Sequence, residues 1–390
     1  KDQEGQHAHQ VQQAAQQPAR EVLPTFEQKR NAACQPDSVG LEKDLLQRRS
    51  PELVQFYQAC NNRLVWFGAD GETARKILYA YLDSAESKGL DSNMYAYAFV
   101  KVSKADKKPA SEKDSLAAEL LMTEAAISYV KSLISGNSKP AFMYEGFIYH
   151  PAVNIASITG EYCGRNKFSL LIDSLKPRMP EIGMLEEKLA EVRQRITATA
   201  YEEERVISTA VTRTNAPLIK KLFVLGMLDS LELSSDNMVK KGVKAAQQQF
   251  TLLNDGVLRS TAIEQLNVPV SERIRQLEMG LDHYRWLHAV CMSEPVIVVN
   301  IPGAYLKVYY KDSILLEMRM IVGRTATPTP TLTSRVDEII FYPYWNVPRN
   351  IAVGELLPSI KQNIGYIEAG NYQILDRSGN ITDPQKINWS

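Results

Sequence analysis

Two imidazoles and a thiol lie close together late in the chain: His283, His288 and Cys291. A cysteine beside an imidazole base is the minimal nucleophilic pair for acyl transfer, because the base converts the thiol into the thiolate that attacks. Neighbours in sequence are rarely the pair that meets in space, however, and the expected role of Cys291 is a small apolar residue at a domain junction. The remaining cysteines, Cys34, Cys60 and Cys163, show neither CxxC nor Cys/His spacing, so no metal site is expected. Nothing in the chain calls for a cofactor. Cys34 and Cys60 flank a helical stretch; in an oxidising compartment they could pair, stabilising the fold by about 3–4 kcal/mol, or they are two unrelated thiols. His7 and His9 sit in a polar tail without a third ligand, and His150 precedes Pro151 with no recognisable partner.

These groups must be held by something, and the chain is long enough to hold them. Its 390 residues are 44% hydrophobic and 23% charged, a globular composition that excludes wholesale disorder and suits two or three domains. Forty-five basic residues balance 45 acidic ones, so there is no net field to hold a polyanion and no nucleic-acid partner is expected. No run of about 18 apolar residues occurs, so contact with a membrane is expected only through an anchor preceding Lys1. The chain starts without Met and stops within the strand-like run that begins Tyr372-Gln-Ile-Leu, so both ends are expected to be cut.

Residues 1–48, with Gln12-Gln-Ala-Ala-Gln-Gln, have almost no apolar periodicity and are expected to form a flexible tether. Ser50-Pro51 then reads as a helix start, followed by Leu53, Phe56, Tyr57 and Cys60 on one face. A second helix carries Ile77, Leu78, Tyr81 and Leu82 toward a stop at Gly89. Residues 103–114 form a polar connector with an internal Pro. Helical spacing returns at Leu116, Leu120, Ile127, Val130 and Ile134, and most clearly at Ile182, Leu185, Leu189, Val192 and Ile196. The stretch 140–180 shows no clean period. Residues 215–267 read as a three-helix unit, and a further helix runs on from Ser271 through Leu287. After Pro295 the pattern turns to short β-branched and aromatic runs: Val296–Ile301, Tyr305–Tyr310, Ile314–Gly323 and Val336–Tyr342. The expected class is α+β and multidomain: helical scaffold domain at 49–214, helical module at 215–270, linker helix at 271–294 and β-rich domain at 295–390.

The β-rich end carries a specific pattern. Asn300-Ile-Pro-Gly-Ala-Tyr, Ile321-Val-Gly-Arg, Thr327-Pro-Thr-Pro-Thr-Leu-Thr-Ser and Tyr342-Pro-Tyr-Trp-Asn-Val-Pro together resemble the start of the YkuD catalytic domain of L,D-transpeptidases, with the large periplasmic YcbB type as the nearest likeness. Arg285-Trp-Leu, Leu266-Asn-Val-Pro and Arg273-Ile-Arg-Gln-Leu are similar to that family's linker helix. Weaker matches lie further back, at Phe56-Tyr57, Leu64-Val-Trp66 and Gly89-Leu-Asp91.

The resemblance implies a transferase of cell-wall biogenesis and cell shape. A cysteine thiolate would attack the third residue of a peptidoglycan tetrapeptide stem, and a neighbouring stem would then accept the acyl group in a 3→3 cross-link. It implies peptidoglycan stem peptides as partners and the periplasm of a didermic bacterium as location. The family's late His and Ser-X-Gly-Cys motif have no counterpart here, since no Cys or His follows Cys291. The β-rich domain is therefore expected to be incomplete and this polypeptide inactive by itself; the alternative is a non-catalytic peptidoglycan-binding or scaffolding protein on the same frame. Trp345 and Asn346 are expected to line the substrate cleft, with Tyr344 and Arg349 as further contacts, and Tyr366 and Tyr372 to belong to a lid within the capping segment from Ile351. The module resembles a small peptidoglycan-binding domain through Val243, Ala246, Phe250, Asp255-Gly256, Thr261 and Leu266-Asn267. Arg259 stands where that pattern has Gly, and the connection from Phe250 to Asp255 is short.

Overall fold

The computed structural model describes residues 50–68, 71–91, 112–137, 154–324 and 326–389. Cys34, His7, His9 and His150, the tether over 1–48 and connector residues 103–111 lie outside them. The described residues fall into two compact units, one reaching to Leu332 and one spanning Thr333–Ser390.

The first unit opens as its sequence signals require. Helix α1 (Pro51–Ala59) is capped by the Ser50 hydroxyl, which accepts from the Leu53 N–H at 3.4 Å, and Leu53, Phe56 and Tyr57 are fully buried. Helix α2 (Gly71–Asp83) passes through a short turn to Gly89, whose φ of +64° a side chain would strain. Helix α3 (Glu112–Ser135) claims the last residues of the expected connector. The stretch without a period contains two short helices, α4 (Ile155–Cys163) and α5 (Phe168–Leu175). Two turns each give too few repeats to declare a period. A Cβ on Gly160 would lie 2.2 Å from the Phe56 carbonyl oxygen, so only glycine lets α4 lie directly on α1.

At the centre of this helical core sits a charge. Glu119 of α3 is 0% exposed, and its carboxylate accepts the backbone N–H groups of Val65 (2.6 Å), Trp66 (3.0 Å) and Phe67 (2.9 Å). The Tyr57 hydroxyl donates to the same carboxylate at 3.2 Å and meets the Thr123 hydroxyl at 2.7 Å, while the Trp66 indole N–H donates to Thr123 at 2.9 Å. Burial pushes the Glu119 carboxyl above its usual range, with the three N–H donors pulling the other way.

Helix α6 (Pro180–Thr199) carries the 3-4 stripe, and its face is shared between two cores. Ile182 and Leu189 pack in one cluster with Leu281, Leu287, Cys291 and Tyr309. Val192 joins the other, with Val206, Leu218, Leu222, Val243 and Leu266. That second core belongs to helices α7 (Ala216–Val224), α8 (Asp236–Gln249) and α9 (Ser260–Leu266). The long α10 (Val270–Cys291) then leads into the sheet.

Strands β1 (Val296–Asn300), β2 (Tyr305–Tyr310) and β3 (Ser313–Arg319) form an antiparallel meander in the order β1-β2-β3. Val298 lies opposite Lys307 and Val308 opposite Leu316, with a bulge between Val308 and Tyr309. Val296, Val298, Tyr309 and Ile314 face the core; Ile297, Val299, Leu316 and Met318 on the other face are between 42% and 49% exposed.

The strand expected over Val336–Tyr342 does not form. These residues run without ladder pairing, and Phe341 and Tyr342 are 81% and 99% exposed. Alternation and β-branching favour a strand only where a neighbour supplies hydrogen bonds, and among the described residues none does. The second unit consists instead of a helical stretch, Arg349–Ile351 running through a π-type turn, Ala352–Leu356, into α11 (Leu357–Gln362), and then α12 (Gly365–Ala369) with Ile367 buried. The strand-like run from Tyr372 contributes one bridge, Leu375 to Ile381, closed by Asp376, whose carboxylate accepts from the Ser378 and Asn380 N–H groups.

Candidate functional site

One carboxylate ties the middle strand of the sheet to the helices. Glu181, in the first turn of α6, accepts from the Tyr309 hydroxyl at 2.8 Å and from the Lys307 ammonium at 3.1 Å. Both donors lie on β2, two residues apart and hence on one face. A second link lies at the end of α10, where the Lys311 N–H donates to the Cys291 carbonyl at 2.8 Å. Beside it, His288 Nε2 stands 2.9 Å from Asp312 Oδ1.

That geometry removes Cys291 and His288 as a catalytic pair. Cys291 is 0% exposed, and burial pushes its thiol up to about 12, so no useful fraction is thiolate near neutrality. His288 directs its hydrogen bond to Asp312. A carboxylate only accepts, so Nε2 carries the proton in the neutral ring, and Nδ1 is buried without a partner among the described residues. Protonating Nδ1 would create a buried donor with no acceptor, and accordingly burial outweighs Asp312 and lowers the His288 pKa. The folded protein thus binds less proton at His288 than the unfolded chain does. Stability is expected to fall on acidification through about pH 6.5, the unfolded value, toward the lower folded one. Thermal midpoints measured from pH 7.5 to 5.5 check this. His288→Gln should flatten the decline, and an unchanged slope would remove His288 as its source.

The expected module residues are occupied in loop building. Asp255 accepts from the Val257 N–H (2.9 Å) and pairs with Arg259 at 2.7 Å, and the Arg259 hydrogen bond holds its carboxyl well below the usual range. Arg259 is thus the partner of Asp255. Gln247, 2% exposed, ties the loop to α8 through the Gly256 N–H and the Val257 carbonyl. Phe250 is covered by the Arg273 guanidinium, 4.9 Å from its ring centre, and Thr261 is exposed. Cys60, the described half of the suggested disulfide, is buried with its thiol hydrogen-bonded to the Tyr57 and Arg63 carbonyls.

In the second unit, Tyr344, Trp345, Asn346 and Arg349 lie on one exposed stretch, Trp345 being 61% exposed and Tyr344 86%. Trp345 is therefore not a core anchor among the described residues. Tyr366 and Tyr372 stack on each other, ring centres 6.2 Å apart and 16° from parallel. Glu119, Glu181 and Asp312 escaped the sequence reading, because an isolated acidic residue in a helix or turn has the same signature whether it faces solvent or a buried donor.

Comparison with known proteins agrees with this architecture. Residues 51–189 match the model of a Scaffold domain, and residues 294–388 match that of the L,D-transpeptidase catalytic domain, YkuD. A protein of Haemophilus influenzae, provisionally named an L,D-transpeptidase, is 40% identical over 93 residues. That match covers 24% of this chain and only 19% of the relative, so the chain spans about a fifth of that protein's length. Among the described residues no helix is long and apolar enough to cross a membrane. Residues 51–189 are thus similar to a Scaffold domain, and residues 294–388, which open with the three-stranded meander, are similar to the L,D-transpeptidase catalytic domain.

Proposed function

We propose that residues 295–390 are the substrate-facing entrance of a peptidoglycan L,D-transpeptidase domain, and that Trp345, Asn346, Tyr344 and Arg349 receive the peptide stem. The observation that carries this is the exposure of Trp345 within a stretch that matches the catalytic domain. An indole face can lie against the aliphatic part of a stem peptide, an amide can bond to its backbone, and a guanidinium can hold its carboxylate in a fork. Tyr366 and Tyr372, already stacked, would close over the bound stem.

In the proposed reaction a cysteine thiolate adds to the carbonyl of the third stem residue. The peptide bond breaks, the terminal D-amino acid leaves as a protonated amine, and a thioester remains. An amine of a second stem then attacks, forming the 3→3 amide and returning the thiolate. Residues 294–388 contain neither Cys nor His, so this stretch by itself offers no nucleophile and no imidazole base. By itself this polypeptide would bind stems in the periplasm without turning them over. That same absence favours the second reading, a binding or scaffolding protein on the same frame. The division into scaffold (49–214), peptidoglycan-binding-like module (215–270) and linker helix (271–294) supports both.

Retention on purified sacculi tests the cleft. The chain should be retained, and Trp345→Ala should weaken retention about tenfold, the value of a well-packed aromatic contact. Exposure to a tetrapeptide stem should leave the intact mass of the chain unchanged. Absent retention, or equal retention of the variant, would refute the cleft; a covalent adduct would refute the inactivity.

A further inference from the structure

The loop between α8 and α9 turns apolar side chains outward. Leu253 is 70% exposed and Val257 49%, although the loop that carries them is firmly held. The buried Gln247 amide accepts the Gly256 N–H at 2.8 Å and donates to the Val257 carbonyl at 3.0 Å, and the Leu252 N–H donates to the Gln247 carbonyl at 2.8 Å. Gly256, at φ +76°, lets the turn lie on α8. The two aliphatic groups are thus fixed in water by a frame tied to the helix.

The helix beneath supplies the charge. Lys240, Lys241 and Lys244 are exposed on α8, and they form no ion pair with any described residue. Lys240 and Lys244 lie one turn apart against that same loop: a Cβ on Gly256 would stand 2.7 Å from Lys240 Cγ and 3.3 Å from Lys244 Cε. Their stems therefore run along the loop that carries Leu253 and Val257, which puts the ammonium groups beside it. The carboxylates nearby are already neutralised, Asp255 by Arg259 and Asp236 by Arg213. A chain with no net charge thus places three unmatched cations on the helix that backs two outward aliphatic groups.

A soluble polyanion would use the lysines alone. A bilayer with anionic headgroups uses both features, because aliphatic side chains enter the acyl boundary while ammonium groups meet the phosphates. We infer that this face docks on an anionic lipid surface, with Leu253 and Val257 entering the interface and Lys240, Lys241 and Lys244 binding headgroup phosphates. The contact is separate from the anchor expected ahead of Lys1, and it stands independently of the transpeptidase reading.

Co-sedimentation of the full chain with vesicles tests it. The chain should bind vesicles of phosphatidylcholine containing about one-third phosphatidylglycerol, and should bind pure phosphatidylcholine about a hundredfold more weakly, since each lysine near an anionic surface is worth about fivefold. The triple variant Lys240→Gln, Lys241→Gln, Lys244→Gln should lose that preference for the anionic vesicles. Leu253→Ser should bind them about fivefold more weakly, and salt at about 0.5 M should release the unaltered chain. Equal binding to both kinds of vesicle, or a triple variant that binds as the unaltered chain does, would overturn the lysine face. Undiminished binding of Leu253→Ser would overturn insertion and leave a soluble polyanion as the fitting partner. No binding to the anionic vesicles would overturn the docking altogether. The comparison of the two vesicles needs no variant, so it tests the face even where a substitution disturbs folding.

Discussion

Glu119→Ala is expected to cost the helical scaffold about 4 kcal/mol. Three backbone N–H groups and the Tyr57 hydroxyl converge on this carboxylate, all buried except the N–H of half-buried Phe67. Removing an acceptor from a buried donor costs about 1–3 kcal/mol per group, less than additively because the loop over Val65–Phe67 can relax toward water. Glu119→Gln keeps one acceptor oxygen but points an NH₂ at donors, so it should lose about half as much. Urea unfolding followed by far-ultraviolet circular dichroism measures both. A loss below about 1 kcal/mol for Glu119→Ala would mean that water replaces the carboxylate and that the network is not what holds the loop down.

Part of this arrangement is legible in the sequence. Phe56-Tyr57 and Leu64-Val-Trp66 stand out in the sequence only as weaker resemblances, and they are what converges on α3: Tyr57 through its hydroxyl, Val65 and Trp66 through their backbone. Glu119 itself is invisible there, because it lies 54 residues from Val65 and a lone Glu in a helical run reads as a solvated residue. The apolar stripes at Leu116–Ile134 and Ile182–Ile196 mark their helices correctly, since a period sustained over several turns has one reading. Ile155–Cys163 and Phe168–Leu175 do not, being two turns each. Val336–Tyr342 shows the opposite limit: strand propensity is conditional on a partner, so the same alternation that marks β1 to β3 overstates what this run does alone. At the candidate site, the motif picks out Tyr344 to Arg349 as a group, and their common exposure follows from the chain having no ladder there. The mounting of β2 on Glu181 is not legible, since an acidic residue in a first helical turn is already accounted for by the helix dipole.

The second large effect concerns the pairing of Lys221 with Glu203, and it has a sign that depends on which partner is removed. Lys221 of α7 has a side chain 0% exposed, while Glu203 is 41% exposed and also accepts the Val270 N–H at 3.1 Å, where α10 begins. The Lys221 ammonium lies 5.7 Å from the Tyr201 ring centre, the only other stabilising contact in view among the described residues. Glu203→Ala strands a buried cation and frees the first N–H of α10, and should cost about 3 kcal/mol. Lys221→Met leaves Glu203 able to turn to water, keeps the buried volume, and should cost under about 1 kcal/mol. The double variant should recover most of the loss of Glu203→Ala, because the stranded charge is gone and only the N–H of Val270 lacks its acceptor. Denaturant unfolding of the two single variants and the double closes the cycle. If Glu203→Ala and Lys221→Met cost the same and add in the double variant, the buried ammonium is not the source of the penalty. If instead the double variant is the more stable of the two Glu203 variants, α7, the extended segment at 201–206 and the start of α10 are joined through one charge whose removal is harmless only when its partner goes with it.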